Sequence, residues 1–159
     1  MDQLNEITLR PATLSDIPTI VAIIHAAFQE YDGAIDPPSG AHNESADKIR
    51  EKMASDQALL ALIAGQPVGC VLYRDQSDHM YFGRLAVLPE YRGRGIAGAL
   101  IAYVEARARE IGLPRVRLSV RVALPRLRAR YERLGYRVTE ERRHAGYDHP
   151  TYLVMEKAL

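Results

Sequence analysis

The chain has 159 residues, 47% of them hydrophobic and 26% charged, with a formal net charge of +1 and one cysteine, Cys70. That length fits one domain with a substantial core and is too short for a dinucleotide domain plus a separate substrate domain, so residues 1–159 are expected to form a single unit. Cys70, inside the apolar run "PVGCVLY", excludes an internal disulfide and a cysteine-based metal cluster. No apolar run is long enough for a membrane span, and the start "MDQLNEITLR" lacks the regions of a secretory signal, so a cytoplasmic protein without metal or membrane partner is expected.

Along the chain, "ITLRPAT" reads as a strand that stops at Pro11, with Ser15 or Asp16 able to cap the next segment and Pro18 tolerated in its first turn. Ile17, Ile20, Val21, Ile24 and Phe28 then follow helical spacing. "QEYDGAIDPPSGAHN" is the one long irregular stretch, and compact domains seldom keep such a loop without a use. A short helix around "ESADKIREKMAS" leads into "ALLALIA" and "VGCVLY", two strands joined by the tight turn "GQP". "HMYFGRLAVL" is a further strand that Pro89 ends. After the glycines of "YRGRGIAGAL", the residues Ile96, Leu100, Ile101, Val104, Ala108 and Ile111 predict an amphipathic helix terminated by Gly112 and Pro114. "RVRLSV" is a strand with arginines alternating outward, "LPRLRARYERLG" a helix, and "YRVTEE" and "TYLVMEKAL" the last two strands.

The near-neutral total hides an asymmetry. Residues 1–78 hold 5 Lys/Arg and 12 Asp/Glu, whereas residues 79–159 hold 16 and 8, so one half suits a cation and the other an anion. Arg126, Arg130 and Arg133 share one face of their predicted helix. No aromatic residue interleaves them as a nucleic-acid platform requires, so they read as a solvated face and no nucleic-acid partner is expected.

Gly93, Gly95 and Gly98 satisfy G-x-G-x-x-G, the dinucleotide fingerprint, and could equally cradle another diphosphate. A dinucleotide fold puts these glycines in its first strand-to-helix turn and an acidic residue about 20 positions further on. Here they come after some 90 residues of chain, and the next strand ends in Val120 and Arg121. The order of elements therefore disfavours an NAD(P)-binding oxidoreductase.

At these residues the chain resembles the GCN5-related N-acetyltransferase (GNAT) family. "RLAVLPEYRGRGIAGAL" matches that family's strand, proline-containing turn, R-G-x-G loop and following helix; "IxLRPAT…D", "GQPVGCV" and "YERLGYR" support it in the family's order from one end of the chain to the other. The resemblance implies an α+β fold, an α/β/α sandwich with a mixed, mostly antiparallel sheet of about seven strands and about four helices. It also implies an enzyme moving the acetyl group of acetyl-CoA directly to a primary amine, through a tetrahedral intermediate and with no covalent enzyme intermediate.

The cofactor-binding residues implied are Arg92, Gly93, Arg94, Gly95, Ile96, Ala97 and Gly98 around the diphosphate. The backbone of Leu85, Ala86 and Val87 would run beside the pantetheine arm, with the Val87 amide polarising the thioester carbonyl. The loop physics agrees, because glycines let backbone N–H groups turn inward at a helix start whose dipole end favours anions. Tyr131 sits where the family places a tyrosine that acts as general acid toward the thioester sulfur. The acceptor is expected between the long loop and the connection before the last strand, at Glu30, Tyr31, Asp32 and Asp36 and at His144, Tyr147, Asp148 and His149, where carboxylates among aromatics suit a small cationic amine or a peptide amine.

Two departures from the family pattern matter. Leu124 and Leu127 stand where many members carry an asparagine, and Gly83, Arg84 and Ser119 stand where a glutamate base is usual. The base is then left to a loop residue (His79, His144 or Asp148), to a water chain, or to an amine that is already neutral. A protein that holds acetyl-CoA without turning it over, as a sensor or partner subunit, is the second reading. Dimers are frequent in the family, and the resemblance implies no more than that about assembly.

Overall fold

The computed structural model describes residues 6–159; residues 1–5, which bore on the reading of a missing secretory signal, lie outside the described part. The elements form in the predicted order: β1 (Ile7–Pro11), α1 (Ile17–Phe28), α2 (Ala46–Met53), β2 (Gln57–Ile63), β3 (Gln66–Asp75), β4 (Met80–Val87), α3 (Ile96–Glu110), β5 (Arg115–Arg121), α4 (Pro125–Arg133), β6 (Arg137–Arg142) and β7 (Tyr152–Ala158). The seven strands make one sheet in the order β1-β2-β3-β4-β5-β7-β6. β4 and β5 are parallel and every other neighbouring pair is antiparallel.

Side-chain alternation explains the layering. On β2, Leu59, Ala61 and Ile63 join one core with α3 and α4, while Ala58 and Leu60 join the other with α1 and α2. "ALLALI" is therefore apolar throughout because it is covered on both faces. The result is the expected α+β sandwich, helices on both sides of a mixed sheet.

Register shifts interrupt the sheet between β2 and β3, between β3 and β4 and between β6 and β7, and the one on β4 shapes the site. On β4, Met80 and Phe82 face the α3 side, but so do Leu85 and Val87, while Ala86 faces α1. The parity changes because β3 pairs Cys70 with Ala86 and Leu72 with Gly83, leaving two β4 residues opposite Val71. This is a β-bulge, and it holds Arg84 at φ 52°, left-handed backbone uncommon for any residue with a Cβ.

The entry to α1 differs in detail from the sequence reading. Leu14–Asp16 form a 3-10 turn, and the Asp16 carboxylate reaches back, accepting from Thr13 N–H at 2.8 Å and from both Arg10 Nη atoms at 2.9 and 3.0 Å. The Arg10 hydrogen bond, followed by that from Thr13, lowers the Asp16 pKa from 3.8 to about 2. A carboxylate whose folded pKa lies below its unfolded value stabilises fully above the unfolded pKa and stops doing so as the pH falls through the folded one. Asp16→Asn should therefore unfold at lower urea than the parent at neutral pH, and the gap should narrow between about pH 4 and about pH 2. A gap that does not change with pH would show that the charge contributes nothing.

Candidate active site

β4 and β5 pair only at Met80↔Val116 and Tyr81↔Arg117, and then part. The rest of β4 turns away through the bulge while β5 continues straight with β7, pairing as far as Arg121↔Tyr152. The gap opens into a cavity of about 960 Å3, within the size range of sites for large ligands. Its walls are β4 from Tyr81 to Val87, β5 from Leu118 to Arg121, one side of α4, the start of α3 and the segment after α1.

On the β4 wall, Leu88 N–H donates to Val68 O of β3 at 2.9 Å. Successive strand amides alternate sides, so the Val87 and Leu85 N–H groups face the gap. At the mouth, Gly93 and Gly95 have φ of 79° and 81°, and a Cβ at either would stand in open space. From Gly93 to Gly98 no backbone N–H finds an acceptor among the described residues; the first helical bond of α3 runs from Ala99 N–H to Gly95 O at 3.0 Å. These include the unpaired amides of a helix start, and Gly93, Gly95, Ile96, Ala97 and Gly98 line the cavity where it opens.

Of the residues expected around a diphosphate, Arg92, Gly93, Gly95, Ile96, Ala97 and Gly98 line the cavity, as do Leu85, Ala86 and Val87. Arg94 does not line it, and its guanidinium stacks over Tyr91 with 4.9 Å to the ring centroid. Arg92 is anchored to the end of α1, donating to Ala27 O at 2.9 Å and pairing with Glu30 at 2.9 Å. Leu124 and Leu127, the positions where the resemblance led to an asparagine, also line the cavity and give it apolar surface.

Tyr131 closes the inner wall. It is 6% exposed, and its ring packs edge-on against Phe82 and Tyr136, centroids 6.3 and 6.2 Å away. Its hydroxyl has no hydrogen-bond partner among the described residues, and burial raises its pKa well above the ordinary value of 10. The phenol thus stays protonated and points no bond at the protein.

The carboxylates expected to seat an ammonium group are not gathered together. Glu30 lines the cavity but is paired with Arg92, and Asp32 lies on a separate recess with His25 and His42. Asp36 accepts from Tyr147 Oη at 2.5 Å, and exposed Asp148 pairs with His149 at 2.9 Å. Tyr31 and His144 line the cavity; Tyr147 and Asp148 do not. Of the three loop residues that could serve as base, His79 pairs with Asp78 and, like Asp148, lines no part of the cavity. His144 Nδ1 lies 2.5 Å from Thr151 Oγ1, and burial, with the Arg121 charge adding to it, lowers the His144 pKa, so the ring is neutral at neutral pH.

Two lining residues that sequence reasoning did not assign to the site are Arg84 and Arg121. Gly83 inside a strand pattern was the available signal, since glycine there often marks a bulge.

Similarity to known proteins agrees with this architecture. A model of the acetyltransferase (GNAT) family matches residues 22–136, and the chain belongs to that family. A curated relative described as an acetyltransferase, from Sodalis glossinidius, is 37% identical over 87 residues, 54% of this chain and 60% of that relative's length. Among solved structures, a PaiA N-acetyltransferase from Thermoplasma acidophilum in complex with coenzyme A aligns with a TM-score of 0.82 at 19% identity, covering 97% of this chain and 99% of that one. A GNAT acetyltransferase from Elizabethkingia anophelis with acetyl-CoA bound aligns over 100% of both chains with a TM-score of 0.73 at 18% identity. At these identities the structures speak for the fold. Among the described residues no helix is long and apolar enough to cross a membrane.

Proposed function

We infer that the protein is an acetyl-CoA-dependent N-acetyltransferase whose acceptor is a primary amine on a small molecule or a polypeptide. The observation that carries this reading is the parting of β4 and β5, which leads a cavity from the unpaired amides of residues 93–98 to the phenol of Tyr131. The residues present suit acetyl-CoA: the amides of Gly93, Gly95, Ile96, Ala97 and Gly98 and a helix dipole for its diphosphate, and an unpaired strand edge for its pantetheine amides to join like an added strand.

Bound acetyl-CoA supplies the activated acyl group as a thioester. Val87 N–H is the donor that stabilises charge developing on the carbonyl oxygen. The amine nitrogen bonds to the acyl carbon, the carbon–sulfur bond breaks, and the product is an amide plus coenzyme A. Tyr131 gives its proton to the departing sulfur, and no group on the protein bonds to the acyl carbon. His144, neutral and in the cavity wall, is placed to take the proton the amine loses, directly or through water.

The test joins binding and turnover. Acetyl-CoA at a hundred times its Kd stabilises the native state by about 2.7 kcal/mol and so raises the melting temperature, whereas NAD(P) leaves it unchanged. Release of free coenzyme A should then depend on an added amine. A rise in melting temperature with no release would leave a binding protein, and a response to NAD(P) alone would overturn the assignment.

A further inference from the structure

The acceptor end of the cavity is basic, although the sequence suggested acidic loops. Arg84 and Arg121 come from the two strands that part, β4 and β5, and both reach the segment 36–44 after α1. Arg121 donates from Nη1 to Pro37 O at 2.5 Å and from Nη2 to Pro38 O at 3.2 Å. A guanidinium has five N–H donors, so three remain, and no carboxylate is ion-paired with Arg121 among the described residues. Arg84 Nε pairs with Glu44 at 2.6 Å, and its Nη2 lies across Gly40, where a Cβ would come within 2.8 Å of it.

Glu44 does not neutralise this end, because it is shared. Its side chain is 1% exposed and is also held by Lys52. Burial alone would raise its pKa, but the hydrogen bonds from Lys52 and Arg84 outweigh that and keep it ionised. A third arginine, Arg143, lines the cavity from the connection before β7 and has no partner among the described residues. Asp36, near Arg121, is occupied by the Tyr147 hydroxyl. Around the segment 36–44, Arg84, Lys52 and Arg121 thus stand against the carboxylates of Glu44 and Asp36, and Arg143 adds a further charge to the cavity wall. Burial pulls the Arg121 pKa down and the Arg84 charge lowers it further, against the raising effect of Tyr147 and Asp36.

The bulge adds a separate observation. It holds Arg84 in left-handed backbone at φ 52°, an unfavourable conformation that persists where the surrounding structure fixes it. Without the extra residue the Arg84 side chain would not be aimed as it is.

We propose that the acceptor carries an oxyanion beside its amine, a carboxylate or a phosphate, and that Arg121 with Arg84 binds that group. This rests on the acetyltransferase reading of the same cavity. Guanidinium forks match both oxyanions, and the bound anion sets the distance from which the amine meets the thioester.

Coenzyme A release should be measured with acetyl-CoA and a matched set of amines: free amino acids, their carboxamides, the corresponding decarboxylated amines, and aminoalkyl phosphates. Oxyanion-bearing members should exceed their amides in kcat/KM by about 10- to 100-fold, the range of a charge-assisted hydrogen bond. The carboxylate and phosphate arms separate the two sources of the anion. Arg121→Ala should bring the ratio of acid to amide near one. A residue that only props the segment at Pro37 and Pro38 would instead lower both members together; Arg143→Ala, which does not touch that segment, should keep the acid-to-amide ratio above about tenfold, and a ratio near one in that variant but not in Arg121→Ala would overturn the assignment to Arg121 and Arg84. Amides or decarboxylated amines turned over as well as the acids would overturn the proposal while leaving the acetyltransferase reading intact. A rise in melting temperature with acetyl-CoA but no release across the whole set would overturn the proposal, and the same silence extended to peptide amines would overturn the acetyltransferase reading as well.

Discussion

Tyr131→Phe is expected to lower kcat about a hundredfold while KM for acetyl-CoA stays within about threefold, the low end of the contribution of a positioned general acid. The fold should hardly notice the change. The ring keeps its packing on Phe82 and Tyr136, and the hydroxyl that is removed donates to no described residue. Steady-state kinetics and a melting curve on the same preparation decide the matter. Because burial raises the Tyr131 pKa, the acid is protonated across the ordinary assay range, so its removal should not shift the basic limb of the pH profile. An unchanged kcat would reduce Tyr131 to a core aromatic with a spare hydroxyl.

Gly98→Leu is expected to separate stability from co-substrate affinity. Gly98 lies in the first turn of α3, with ordinary negative φ, and a Cβ there would meet nothing within 4 Å. Leucine is the better helix former by roughly 0.5–1 kcal/mol, so the free protein should melt at the same temperature or higher. The new side chain, however, would stand at the cavity mouth over the unpaired amides. KM for acetyl-CoA should rise about tenfold or more, equivalent to about 1.4 kcal/mol of lost binding. A variant that is both more stable and equally tight would remove the diphosphate from this loop.

Much of the fold was legible because its signals are local. Apolar spacing marked α1 and α3, and the α-helices and strands appeared in the predicted order, although the β2–β3 turn falls at Ala64 and Gly65 rather than at "GQP", whose Gln66 and Pro67 belong to β3, and short 3-10 turns at Gln29–Tyr31, Gly40–Asn43 and Pro89–Tyr91 had no such signal. The strand order was not legible, since β7 inserts between β5 and β6 and nothing local encodes that register. For the site, the loop glycines and the run from Leu85 to Val87 could be read because backbone geometry at a strand-to-helix turn is set by nearby residues. The acceptor end could not. Glu30, Asp36 and Asp148 read as available carboxylates in sequence, yet each takes a partner in the fold, and Arg92 and Tyr147 lie 62 and 111 positions away from theirs. Arg84 acquires its aim from a bulge opposite Val71, a pairing made by β3.

Cys70 carries a practical consequence. The side chain is wholly enclosed, its Sγ–H lies 3.7 Å from Arg84 O, and burial pushes the thiol up to about 12. A sulfur that is neither ionised nor reachable resists air, peroxide and alkylating agents while the chain stays folded. The protein can thus be handled without reductant, and a colour reaction for sulfhydryls run in its presence counts coenzyme molecules rather than enzyme.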